Sequence, residues 1–178
     1  MSAKPIAAML LSIAALAACE PSTVNDSLSV GEVGPVPPAE ESLAAICTGD
    51  ASMQQQMADA VNAARVAEGK AVLGVDASLN RIAQSHACDM AATGRATVAG
   101  SNGSNVVDRA RAVGYPACGL VQLVSVGGAP AGIVSSWLTS TPQRVELLGQ
   151  HSDDLGVGAA RGADGRMWWS VVLGDDCA

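Results

Sequence analysis

The chain has 178 residues, a formal net charge of −7, no Phe, and aromatic side chains at only 2% of positions. Its length fits one domain with appendages, and its acidity excludes a nucleic-acid binder, which needs a basic face. The core must be built from Ala, Val, Leu, Ile and Met around three Trp and one Tyr.

The N-terminus reads as an export signal. Lys4 supplies the positive start, and Ile6 to Ala18 form an apolar run too short to span a membrane comfortably. The run ends in Leu16-Ala17-Ala18-Cys19, which resembles a bacterial lipobox. That resemblance implies a signal peptide over 1–18, lipid attachment at Cys19, and a membrane contact through the lipid. Glu20 follows where an Asp would favour inner-membrane retention in a Gram-negative cell, so the expected location is the cell envelope, at the outer membrane. Residues 19–45 are rich in Pro, Ser, Gly and Glu without periodicity and read as a disordered tether. The domain is expected over 46–178.

Removing Cys19 leaves Cys47, Cys88, Cys118 and Cys177. An even number in an oxidising compartment points to two disulfides. Of the three possible pairings the favoured one is Cys47–Cys177, joining the domain ends, with Cys88–Cys118. No pair has the close spacing usual in zinc sites.

Within the domain, Ser52 to Glu68 forms the first helix, with Ser52 as cap, Gln55 completing a capping box, and Met53, Met57, Ala60, Val61 and Ala64 on one face. The second helix lies between Asp76, an N-cap, and Gly94, a left-handed C-terminal stop. Its stripe is Leu79, Ile82, Ala83, His86, Ala87 and Met90, with Cys88 on the opposite face. Ser101-Asn102-Gly103 is a turn, and Asn105 to Val113 is a short helix stopped by Gly114. Gly119 to Val126 is a strand. Pro130 opens a helix carrying Ile133, Val134, Trp137 and Leu138, and Thr141-Pro142 starts another short helix through Leu148. Leu155 to Ala160 and Met167 to Leu173 are antiparallel strands joined at Asp164-Gly165. The order is α+β, with helices covering a small, mainly antiparallel sheet.

Several segments together resemble the CAP superfamily, also called the SCP or cysteine-rich secretory protein family, in its bacterial form. They are Val61-Asn62-Ala63-Ala64-Arg65, Ala83 to Met90, Asp108 to Tyr115, Ser136 to Ser140, Gln143-Arg144 (where the family usually has His-Arg), Gly156-Val157-Gly158 and Met167-Trp168-Trp169. The resemblance implies an α-β-α sandwich with a groove above the sheet. The family groove often holds two His and two acidic residues, and in some members the His pair binds a divalent metal. Carried over position by position, the first His falls on Val98, the first Glu on Gln122, the second Glu on Ser140 and the last His on His151. One imidazole does not make a transition-metal site, so no metal and no other cofactor is expected.

The remaining candidates have ordinary readings. His86 is expected to be a hydrogen-bonded core residue. His151-Ser152-Asp153 contains triad residue types, but chain neighbours rarely reach triad geometry. Asp153-Asp154 and Asp175-Asp176 could attract a cation. Trp168 and Trp169 should point to opposite sheet faces, and an outward Trp would mark a binding surface. The expected function is a non-catalytic envelope binding module for an apolar or lipid-like small molecule or an envelope protein. Two alternatives stand beside it: a metal-dependent or hydrolytic enzyme built around His151, and a spacer lipoprotein without a small ligand.

Overall fold

A computed structural model describes residues 42–44, 46–149 and 151–177. The expected signal peptide, Cys19 and most of the tether lie outside the described residues. Among the described residues no helix is long and apolar enough to cross a membrane.

Helix α1 spans Ala51–Ala67. Its cap is Asp50, whose carboxylate accepts the Met53 amide at 3.1 Å, and not Ser52, which sits in the first turn and accepts from Gln56. A carboxylate also suits the positive end of the helix dipole. Gln55 donates to Asp59 along the exposed face instead of closing a capping box. After a short strand β1 (Gly74–Val75), helix α2 runs Ala77–Thr93 between the Asp76 cap and Gly94, which has φ 70°. Helix α3 is Val106–Val113, with a complete capping box between Asn105 and Asp108. Strand β2 is Ala117–Val126, helix α4 is Pro130–Thr139, and α5 is Thr141–Arg144. The expected single helix through Leu148 changes character at Val145, where a π-helical turn, Val145–Gly149, takes over. Strands β3 (Asp154–Arg161) and β4 (Met167–Asp176) complete the chain.

The sheet order is β1-β3-β4-β2, with β1 parallel to β3 and the other pairs antiparallel. Strand alternation divides the core between the two faces. Leu155, Val157, Trp169, Val171 and Leu173 pack with Met57 and Val61 of α1 and with Ile133, Val134 and Trp137 of α4. Val172 packs on the other face with Leu79, Ile82 and Ala83 of α2, Ala110 of α3 and Tyr115. The result is an α-β-α sandwich.

Two glycines set the spacing on the α2 side. A Cβ on Gly156 would fall 2.2 Å from the Leu79 carbonyl carbon, and one on Gly158 would fall 2.1 Å from the Ala83 oxygen. The backbone of α2 therefore lies directly on β3. Asn80 and Gln84 then accept the Val157 and Ala159 amides at 2.8 and 3.0 Å, closing the edge of β3 beyond the end of β1.

The disulfides are Cys47–Cys88 and Cys118–Cys177, which corrects the expected pairing Cys47–Cys177 and Cys88–Cys118. Register explains the second bond: Ala117 lies opposite Asp176 across β2 and β4, which puts Cys118 and Cys177 at the same end of the sheet. The chain entering the domain explains the first. Ser85 donates to the Ala44 carbonyl and Leu43 packs beside α2, so Cys47 is delivered to Cys88 rather than to the C-terminus. The Trp pair does split between the faces, yet both rings are buried, at 2% and 0% exposure. Arg166 covers Trp168 at 5.5 Å, and neither Trp marks a binding surface.

Candidate functional site

A cleft of about 310 Å³ opens between the loop after α2, the start of α3, the outer half of β2 and the π-helical turn. Val98, Val106, Leu120 and Val121 form its apolar walls, Gln122 lies in its floor, and Asn105 and Glu146 stand at its edge. The cleft is open because Val98, in the loop, is 48% exposed and does not fold down onto β2.

Its floor is built on Arg109. This residue lies on the same face of α3 as Val106, Ala110 and Val113, and is 1% exposed. Its Nη1 donates to the carbonyl and hydroxyl of Ser104, at 2.9 and 3.1 Å. Its Nη2 donates to the Val98 carbonyl at 3.0 Å and to Gln122 Oε1 at 2.6 Å. Gln122 passes the chain on by donating from Nε2 to the Ser170 hydroxyl of β4 at 2.8 Å. A buried cation thus holds the loop, α3 and the sheet in register. Desolvation lowers its pKa to about 10, partly offset by the nearby Asp89 and Asp108 carboxylates.

His86 lies within this same buried region. Its Nε2 faces the Thr97 carbonyl at 2.6 Å. A carbonyl can only accept, so Nε2 carries the proton. Nδ1 is buried without a partner. Burial, followed by the charge of Arg109, pulls the His86 pKa down to about 4. A neutral ring pinning the loop after α2 is a structural role.

The four carried-over positions do not converge. Val98 and Gln122 share the cleft. Ser140 ends α4 and caps α5, away from the cleft lining. His151 precedes β3 with its side chain 84% exposed, and its Nδ1 is 3.8 Å from Asp175 of β4. The cleft side chains do not fit a divalent transition metal, since they include no His or Cys and a single carboxylate. His151, Asp153 and Asp175 bring one ligand atom each within 4.8 Å of one another, but two of the three are exposed and none of them lines this cleft. The triad types at His151-Ser152-Asp153 give no nucleophile–base line, because the imidazole turns to Asp175.

Arg109 and Glu146 are the site residues that sequence reading missed. The signal for Arg109 was present: a cation on the apolar stripe of a short helix needs a buried acceptor set. Glu146 had no such signal, because its place beside the cleft depends on the π-helical turn.

A family model described as CAP, the cysteine-rich secretory protein family, matches residues 58–173. The fold is similar to three solved bacterial structures. An outer surface protein of Borrelia burgdorferi superposes with a TM-score of 0.66 at 16% identity, over 72% of this chain and 99% of that one. An extracellular SCP-domain protein of Bacillus anthracis gives 0.63 at 19% identity, over 70% of this chain and 41% of that one. A cysteine-rich secretory protein of Staphylococcus aureus gives 0.57 at 16% identity, over 70% and 38%. The last two proteins extend well beyond the matched domain. No curated protein matches the chain in sequence.

Proposed function

The chain belongs to the CAP family of cysteine-rich secretory proteins, and from that premise we propose that it is an exported, lipid-anchored binding module of the cell envelope. Its cleft takes an apolar or lipid-like small molecule and carries out no chemistry. The observation behind this reading is the composition of the cleft: aliphatic walls over a floor whose one polar side chain, Gln122, is engaged at both ends by Arg109 and Ser170. Its volume is at the lower end of the range usual for ligand pockets. An amide cannot act as a general base, and no imidazole or free nucleophile lines the cleft. Export is supported by the two disulfides and by the apolar N-terminus ending at Cys19.

A thermal-shift panel of sterols, fatty alcohols and phospholipids tests the cleft. A bound member raises the melting temperature, and Val98→Asp, at a half-exposed wall, abolishes the shift while leaving the fold intact. A panel with no response at all defeats the small-molecule reading and leaves an envelope protein partner or a spacer role. Anchoring is tested separately. Cys19→Ser is expected to move the protein from the membrane fraction to the soluble one, and an unchanged distribution refutes lipidation at that residue.

A further inference from the structure

A second cavity, of about 260 Å³, lies elsewhere, between the C-terminal end of α1, the residues just after it and the loop ahead of β3. Arg65, Lys70, Ala71, Leu148, His151 and Asp153 contribute to its walls. Arg65 is only 2% exposed. Its guanidinium is held by two neutral acceptors, Nε donating to the Ala71 carbonyl at 3.0 Å and Nη1 to the Leu147 carbonyl at 2.8 Å. Nη2 donates to no group among the described residues, it is not one of the sealed, unpartnered atoms of the core, and Arg65 contributes to the cavity wall.

Arg109 provides the contrast. There both terminal nitrogens donate to protein acceptors. Arg65 is a fixed cation with a donor to spare. Removing a guanidinium from water costs several kcal/mol, and two carbonyls satisfy its hydrogen bonds without neutralising it. Asp153 attracts it from across the cavity, but no described carboxylate is within ion-pair distance. Lys70, an exposed residue of the cavity wall, adds a second positive charge.

We propose that this cavity is a binding site for a small oxyanion, a carboxylate or a phosphate. One oxygen would be held by Arg65 Nη2 and the charge would be shared with Lys70. Guanidinium donors suit such oxygens in geometry and charge. Asp153 is the opposing charge that keeps affinity low, and Leu148 offers a small apolar shelf beside the anion. The site is independent of the cleft and of its apolar ligand.

The test is a titration of the folded, disulfide-bonded protein with inorganic phosphate and, separately, acetate. It is made at constant ionic strength with chloride as the balancing anion and is followed by the Arg65 Nε–Hε resonance. Saturable one-to-one binding of either anion is expected, and the two arms show which oxyanion is preferred. Lys70→Glu weakens binding by about tenfold, and Asp153→Asn strengthens it several-fold, because each alters one charge beside the anion. Both residues are exposed, so neither change threatens the fold. A resonance that never saturates, or affinities identical in both variants, overturns the proposal. So does an Asp153→Asn protein that loses stability without gaining anion affinity, since Asp153 would then be the counter-ion that Arg65 already has.

Discussion

Arg109 and Gln122 meet at 2.6 Å in the floor of the cleft, and this contact joins α3 to the sheet. The pair is costly to break from one side only. Gln122→Leu removes an acceptor from a guanidinium that cannot reach water and also leaves Ser170 without its partner. The expected loss is about 2–4 kcal/mol in urea unfolding. Gln122→Glu keeps the Arg109 contact and puts a carboxylate against the cation, while the Ser170 hydroxyl, which accepts from Gln122, turns to donate instead, so the variant should retain stability to within about 1 kcal/mol. If the Leu variant is as stable as the parent, Arg109 has another way to satisfy its charge and the floor is not built as described.

Gly158→Ala tests the approach of α2 to the sheet. The added methyl would sit 2.1 Å from the Ala83 carbonyl oxygen, and that neighbour is backbone, not a flexible side chain. Overpacking against backbone should cost about 3 kcal/mol or more, seen as a large drop in melting temperature by circular dichroism. Gly132, on α4 with nothing near its Cβ position, is the control: Gly132→Ala should be neutral or slightly stabilising, since Ala is the better helix former.

Peptide mapping under non-reducing conditions should recover Cys47 linked to Cys88 and Cys118 linked to Cys177. The two bonds close loops of 41 and 59 residues. In the chain-entropy view each restricts the unfolded chain enough to contribute about 4 kcal/mol. Replacing either pair by Ser should therefore lower the urea midpoint substantially, and more so than any single exposed substitution.

How far the sequence carried the fold can be seen residue by residue. Asp76 and Gly94 bounded α2 because capping is local chemistry, written in the residues that perform it. Pro130, Gly114 and Asp164-Gly165 worked for the same reason. The disulfide pairing failed because it is decided by register across β2 and β4 and by the path of residues 43–47, neither of which is a local property. His151 shows the same limit from the other side. Counting positions back from Gly156-Val157-Gly158 placed it in the groove, but its imidazole lies in solvent beside Asp175 and does not line the cleft. Val98 and Gln122 were placed together because each is tied to a turn or a strand, whose geometry fixes position.

Zinc should find no tight stoichiometric site. The cleft offers no imidazole, and two members of the His151, Asp153 and Asp175 group are exposed. Titration calorimetry checks this. One-to-one binding that disappears in His151→Ala would reverse the reading and bring the enzyme hypothesis back.

His86 gives the protein a predictable response to acid. Its pKa falls from an ordinary 6.5 in the unfolded chain to about 4 in the fold, so between those values the unfolded state binds more protons than the native one. Stability therefore rises with pH across that window. The contribution of the neutral ring is fully present above pH 6.5 and is lost as the pH falls toward 4. The cause is visible in the hydrogen bonds. Nε2 already donates to Thr97, so a second proton must go on Nδ1, which is buried without an acceptor and repelled by Arg109. The full loss is on the order of 3 kcal/mol. Urea unfolding of the parent and of His86→Gln, measured at intervals from pH 7 to pH 4, isolates it. Gln can still donate to Thr97 but does not titrate, so the variant should lose the part of the slope that lies in this window. Parallel curves for the two proteins would mean that His86 is more accessible to water than its burial implies, and that the acid response comes from the carboxylates instead.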